Sequence, residues 1–223
     1  MNTIDHSSRA RLRPGIYAIT PEYFSDNLDF YKKVETLLRC GISALQYRAK
    51  DLPFGKRLIA ANRFQALCRE SKTPFIVNDD IELALACAAD GVHLGQHDPD
   101  YRSLVSSKHR SLRVGISCYN SLERARDGAA AGVDYVAFGS FFPSSTKPNA
   151  VIAKPELLSA AKREFELPIV AIGGITPQNA VALLDAGADL LAVVQGVFTS
   201  PDVAATMTEF NQLFATRQSL HDG

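Results

Sequence analysis

Short apolar runs recur along the chain at fairly even intervals. They are GIYAIT (15–20), SALQYRA (43–49), FIVND (75–79), GVHLGQ (91–96), RVGISC (113–118), YVAFGS (135–140), IVAIGG (169–174) and LLAVVQG (190–196). Each is rich in Val, Ile, Leu or aromatic residues, and most meet Gly, Pro or Asp soon after. That combination predicts short buried strands. The segments between them have helical spacing. LDFYKKVETLLRCG sets Leu28, Tyr31, Val34, Leu37 and Leu38 on one stripe and stops at Gly41. GKRLIAANRFQALCRE repeats the pattern with Leu58, Ile59, Phe64 and Leu67. TPQNAVALLDAG opens on Thr176 as N-cap with Pro177 at the first helical position, and Ser200 with Pro201 opens the last helix the same way.

Strand and helix alternate eight times, which predicts a parallel sheet with crossover helices. Eight such units in about 200 residues fit an α/β fold of the single-domain (β/α)8 TIM-barrel type. An open doubly wound sheet is the rival. No linker divides the chain, so residues 14–216 read as one barrel domain, with tails at 1–13 and 217–223.

One strand breaks the apolar rule. In ISALQYRAK (42–50), Gln46, Arg48 and Lys50 alternate after the apolar start. Alternate strand residues share a face, so an amide and two cations point the same way. In a barrel the chemistry sits at the C-terminal strand ends, so such ends form one converging set. The others are Asn78 and Asp79, Gln96 and Asp98, Ser117, then Ser144, Thr146 and Lys147, then Gly173 and Gly174, then Gln195 and Gly196.

Composition narrows the function. Apolar residues make up 46% of the 223, enough for a real core, and Lys+Arg and Asp+Glu both total 24. Zero formal charge calls for neither nucleic acid nor an anionic membrane, so an anion site must be a local concentration of charge. Cys40, Cys68, Cys87 and Cys118 lie far apart and read as reduced structural thiols. The first fifteen residues hold no apolar segment, and no run approaches the roughly 18 residues of a membrane helix. A cytoplasmic protein is the expectation. The sequence leaves a homo-oligomer open.

Two acids from neighbouring strands, Asp79 and Asp98, suit Mg2+, which binds one or two carboxylates plus substrate phosphate. The plainer alternative makes Asp79 the cap of the helix DIELALACAA and Asp98 part of a Pro-containing turn. Lys50 and Lys147 would face the same mouth and, with the metal, neutralise a polyanion; the alternative is two solvated rim lysines. AIGGITPQN places two glycines before a helix N-terminus, where backbone N–H groups bind phosphate. The FFPSSTK turn adds hydroxyls and a lysine. His93, mid-strand, reads as a packed, hydrogen-bonded core histidine.

YAIT, LQYRAK, IVNDDIELALACAADGVHLGQHD, GISC, DYVAFGSFFPSSTK and IVAIGGITPQNA occur here in one order. From about Gly15 to Phe198 the chain resembles the thiamine-phosphate synthases (thiamine-phosphate pyrophosphorylases). The resemblance implies an enzyme, a transferase joining a pyrimidine methyl diphosphate to a thiazole phosphate with loss of diphosphate. It implies Mg2+ on Asp79 and Asp98. It implies that Gln46, Lys50, Asn78 and Lys147 contact the pyrimidine diphosphate, with Ser117 near the leaving group and Lys50, Ser117 and Lys147 as catalytic groups. Ser144, Thr146, Gly173, Gly174, Val194 and Gln195 would serve the thiazole phosphate. Arg48 is expected to orient a neighbouring acid such as Asp79.

Two positions depart from the family pattern. Ser144 replaces a threonine and keeps its hydroxyl, and Gln195 stands where a serine is usual. A thiazole tautomerase on the same barrel would want a histidine after strand 5, where this chain reads SCYNS. A precursor-binding protein without catalysis is the third reading, supported by Gln195.

Overall fold

The computed structural model describes residues 11–22, 27–96, 100–106, 112–144 and 151–221. Asp98, Thr146 and Lys147, named above, lie outside the described residues. Eight parallel strands pair in chain order and close on themselves, β1 against β8, which rules out the open sheet. They are β1 (Gly15–Ile19), β2 (Ala44–Tyr47), β3 (Phe75–Asn78), β4 (Gly91–Leu94), β5 (Arg113–Tyr119), β6 (Tyr135–Gly139), β7 (Ile169–Ile172) and β8 (Leu190–Val193). The helices between them are α1 (Leu28–Arg39), α2 (Phe54–Ser71), α3 (Ile81–Ala86), α4 (Tyr101–Ser106), α5 (Leu122–Ala131), α6 (Glu156–Glu164) and α7 (Pro177–Asp185). Short α8 (Gln195–Phe198) and long α9 (Val203–His221) follow β8.

Period-two alternation splits every strand between two cores. Outward residues such as Ile16, Leu45, Phe75, Val92, Val114 and Val136 pack under the helices. Inward residues, among them Tyr17, Ile76, Tyr135, Val170 and Leu190, fill the barrel with Leu12 beside them. The Tyr135 phenol inside the barrel needs room, and a glycine supplies it: a methyl on Gly115 would lie 1.9 Å from Tyr135 Cζ.

One device recurs at the N-terminal strand ends. Asp90, Asp134 and Asp189 each directly precede a strand or its first residue, and each carboxylate accepts a backbone N–H from the strand before. The donors are Phe75 (2.8 Å), Val114 (2.6 Å) and Ile169 (2.9 Å). These bonds fasten the end of the barrel opposite the chemistry.

Details of the helices differ from the sequence reading. Leu28 and Ile59 face solvent at 68% and 63% exposure. In α2 the buried stripe is Ala60, Ala61, Phe64, Gln65 and Cys68, whose alanines let the helix lie close to the sheet. α9 starts at Val203 rather than at Ser200 and Pro201, because Asp202 accepts the Ala205 N–H at 2.9 Å and caps it. The two tails are shorter than expected. Leu12 is buried in the barrel core, and α9 continues to His221, with Arg217 Nη1 donating to the Ala188 carbonyl at 2.6 Å. No breaker interrupts that segment before Gly223, so the helix runs on.

Candidate active site

The carboxyl ends of the strands surround a cavity of about 1230 Å³. That exceeds the roughly 300–1,000 Å³ of single-ligand pockets and leaves room for two ligands side by side. The ends of β2, β3 and β5 bring Gln46, Arg48, Asn78 and Ser117 to one arc of its wall, and the ends of β6, β7 and β8 bring Ser144, Gly173, Gly174, Val194 and Gln195 to the other. Lys50 and Asp79 stand beside this wall and pair with each other, Nζ to Oδ2 at 2.9 Å, with Lys50 half exposed.

Asp79 is held in an uncommon conformation. Its φ is +64°, and the Asp80 N–H reaches back to the Asn78 carbonyl at 2.8 Å, closing a three-residue γ-turn around it. The Asp79 N–H is tied to the His93 carbonyl at 2.8 Å. Backbone strain of this kind gathers at functional sites. Asp80, not Asp79, caps α3: its Oδ1 accepts the Leu83 N–H at 2.9 Å, and its other oxygen pairs with Arg57. The structural duty expected of one aspartate falls on its neighbour, and Asp79 keeps its carboxylate on Lys50.

Arg48 does not orient Asp79. Its guanidinium pairs with Glu22, from the β1–α1 loop, and both side chains are mostly shielded from solvent. Two residues farther along the chain, Lys50 is the cation that reaches Asp79. Glu22 escaped the sequence reading because no motif marks it.

A bulge shapes the end of β5. The register with β6 shifts between Ser117 and Tyr119, and Tyr119 has a φ of +54°. Bulges beside active sites re-aim side chains. Arg124, from α5, holds the site together from behind: Nε donates to the Ser117 carbonyl at 2.6 Å and Nη2 to the Gly95 carbonyl at 3.0 Å. Arg124 and Tyr119 also line the cavity. Neither lies in a run that periodicity marks as functional.

The glycine pair after β7 is explained first by packing. Both have positive φ, +108° at Gly173 and +60° at Gly174. A methyl on Gly173 would lie 1.9 Å from Ser140 Oγ, and one on Gly174 would lie 2.4 Å from the Pro143 carbonyl oxygen. Glycine therefore lets the β6–α6 loop close against this turn. Asn179 fixes the turn by accepting the Thr176 N–H and donating to the Gly174 carbonyl, both at 2.9 Å. Among the described residues no acceptor takes the Gly173 or Gly174 N–H.

His93 is buried and hydrogen-bonded, as its mid-strand position suggests, but it also reaches the cavity. Its Nε2 lies 2.9 Å from Ser117 Oγ and its Nδ1 3.2 Å from Tyr135 OH. Burial pushes the Tyr17 and Tyr135 phenols well above the usual range, so both stay protonated. Burial also pushes the Cys118 thiol up to about 12. Among the described residues no group of three or more His, Cys, Asp or Glu side chains gathers to hold a metal.

Fold and site together define a (β/α)8 barrel enzyme that gathers its polar groups and glycine turns at the carboxyl ends of the strands. Comparison with known proteins makes this specific. The family model described as thiamine monophosphate synthase matches residues 16–197. A thiamine-phosphate synthase of Aromatoleum aromaticum is 48% identical over 204 residues, 92% of this chain and 97% of that protein. One from Thiobacillus denitrificans is 48% identical, covering 90% and 95%. The solved thiamine phosphate pyrophosphorylase from Pyrococcus furiosus superposes with a TM-score of 0.83 at 30% identity, covering 93% of this chain and 98% of that one. The chain belongs to the thiamine monophosphate synthase family.

Proposed function

We propose that this chain is a thiamine-phosphate synthase that condenses 4-amino-2-methyl-5-hydroxymethylpyrimidine diphosphate with hydroxyethylthiazole phosphate. The carrying observation is the one cavity with two differently furnished walls. Gln46, Asn78 and Ser117 lie on one, and Ser144 with the Gly173–Gly174 turn on the other. The pyrimidine diphosphate takes the first wall and the thiazole phosphate the second.

In the reaction the bond between the pyrimidine methylene and the diphosphate oxygen breaks, and its electron pair leaves with diphosphate. The thiazole nitrogen then supplies the pair for the new C–N bond, and no proton need move. The pyrimidine ring stabilises the carbocation between these events. Such chemistry asks for neutralised leaving-group charge and two reactants held in line rather than for a general base. Lys50 and Lys147 take the diphosphate charge, and Ser117 lies toward the leaving oxygen. Ser144, Thr146 and the Gly173 and Gly174 amides bind the thiazole phosphate, with Val194 and Gln195 closing its pocket.

Asp79, strained at the site rim with its carboxylate paired to Lys50, is a fit hard-oxygen donor for Mg2+. Asp98 is its partner in this reading, and substrate phosphate completes such a shell. When bound, the ion would neutralise diphosphate charge and so favour its departure. A cytoplasmic location accords with the reading. Among the described residues no helix is long and apolar enough to cross a membrane.

The test is direct. Purified chain given both substrates and Mg2+ is expected to form thiamine phosphate and diphosphate in equal amounts. No product at any Mg2+ concentration overturns the assignment.

A further inference from the structure

Inside the barrel, below the cavity, four hydrogen bonds join five side chains from five strands. Gln46 Nε2 donates to Tyr17 OH at 2.9 Å. Tyr17 OH meets Tyr135 OH at 2.8 Å. Tyr135 OH meets His93 Nδ1 at 3.2 Å, with the two rings stacked at 5.6 Å and 22°. His93 Nε2 meets Ser117 Oγ at 2.9 Å. The chain begins and ends on cavity-lining residues, and its middle is buried.

The direction of these bonds follows from one end. An amide nitrogen only donates, so Tyr17 accepts from Gln46. The Tyr17 proton then needs an acceptor, and Tyr135 is its other partner. Tyr135, having accepted, gives its own proton to His93 Nδ1. The imidazole therefore carries its proton on Nε2, which donates to Ser117 Oγ. Ser117, its oxygen already accepting, turns its own hydroxyl proton toward the cavity. The opposite direction would leave the Tyr17 proton buried without an acceptor, an expensive state. Both phenols keep their protons because burial holds them neutral.

We propose that Gln46, Tyr17, Tyr135 and His93 form a directional hydrogen-bond relay that fixes the Nε2–H tautomer of His93 and makes Ser117 a hydrogen-bond donor into the cavity. His93, Tyr135 and Tyr17 are positioning residues that act through Ser117. The inference deepens the synthase reading and rests on it for one point: the acceptor is the oxygen of the pyrimidine diphosphate that takes the electron pair as its bond breaks. A donor aimed at developing negative charge lowers the barrier for that step.

The test joins a spectrum to kinetics. Protein with 15N-labelled histidine at pH 7.5 is expected to show His93 protonated on Nε2 alone, assigned by comparison with His93→Gln. Tyr135→Phe removes the donor to Nδ1 while keeping the ring, and a population protonated on Nδ1 is expected to appear. Its kcat is expected to fall by about tenfold or more, with KM for the pyrimidine diphosphate within about twofold, the pattern of a contact made in the transition state. A proton on Nδ1 of His93 in the unmutated chain overturns the relay. So does a Tyr135→Phe enzyme with unchanged tautomer and kcat. If Tyr135→Phe does not fold, the unmutated spectrum still decides the direction. If the chain makes no thiamine phosphate at all, the function assignment fails while the spectrum judges the relay separately.

Discussion

Gly115 leaves the space that Tyr135 occupies. The two are register partners across β5 and β6, and a methyl on Gly115 would lie 1.9 Å from Tyr135 Cζ and 2.3 Å from Cε2. His93 is the register partner of Gly115 on the other side. A strand residue without a side chain thus lets a phenol cross the barrel and stack on a histidine. Gly115→Ala is expected to lower stability by about 1–3 kcal/mol or more, the cost of overpacking a filled core. It should also reduce turnover, because the ring must move away from His93. Urea unfolding measures the first and kcat the second. Unchanged stability would mean that the ring has room that the geometry does not show.

Asp79 and Asp80 are adjacent and should behave oppositely. Asp79→Asn is expected to raise the Mg2+ concentration for half-maximal turnover by about tenfold or more, since a ligand charge is lost. Its thermal midpoint without metal should stay close to that of the unmutated chain, because the Lys50 partner is half exposed and such pairs contribute little. Asp80→Ala removes the α3 cap and the carboxylate that pairs with Arg57. It is expected to cost about 0.5–2 kcal/mol of stability and to leave the Mg2+ dependence alone. Titrating Mg2+ in both variants, with thermal melts alongside, separates the two roles. The reverse pattern would assign the metal to Asp80.

The barrel was legible because period-two strands and helical stripes repeat eight times, and each repeat supports the others. That Gln46 and Ser117 face the cavity follows from the same periodicity. Arg48 shows where that stops. Its direction follows from alternation, but its partner Glu22 lies 26 residues earlier, on a loop that periodicity does not describe. Choosing between Asp79 and Asp80 as the helix cap turned on a single φ of +64°, which two consecutive aspartates do not reveal. The relay was hidden for another reason. His93 reads as a packed core histidine, nothing in the sequence marks Tyr17 or Tyr135, and only closure of the sheet brings the three into one line.

Gln195 opens α8 and lines the wall assigned to the thiazole phosphate. Its carbonyl already serves α8 by accepting the Thr199 hydroxyl at 2.7 Å. The backbone is thereby held whatever the side chain is, so a substitution should test the amide alone. If the amide binds the phosphate, Gln195→Ala is expected to raise KM for the thiazole phosphate by about tenfold, the worth of a hydrogen bond to a charged group. KM for the pyrimidine diphosphate should stay within about twofold. Initial rates with each substrate varied in turn measure both. A lower thiazole phosphate KM in Gln195→Ala would show that the side chain crowds the pocket instead.

Alkaline pH should destabilise this barrel over a defined window. Cys118 and Cys68 lie in the outer core, and burial raises both thiols, Cys118 to about 12. In the unfolded chain a thiol ionises near about 8.5. A group with a raised folded value contributes stability that is fully present below its unfolded value. That contribution is lost as pH rises toward the folded one, because only the unfolded chain can ionise. For Cys118 the window runs from about pH 8.5 to 12. Tyr17 and Tyr135 add to it above about pH 10, where free phenols ionise. Urea midpoints are therefore expected to stay flat from pH 7 to about 8.5 and to fall between about 9 and 11. In Cys68→Ala/Cys118→Ala the baseline stability drops, but the slope from about pH 8.5 to 10 should become shallower. An unchanged slope would place the alkaline sensitivity elsewhere.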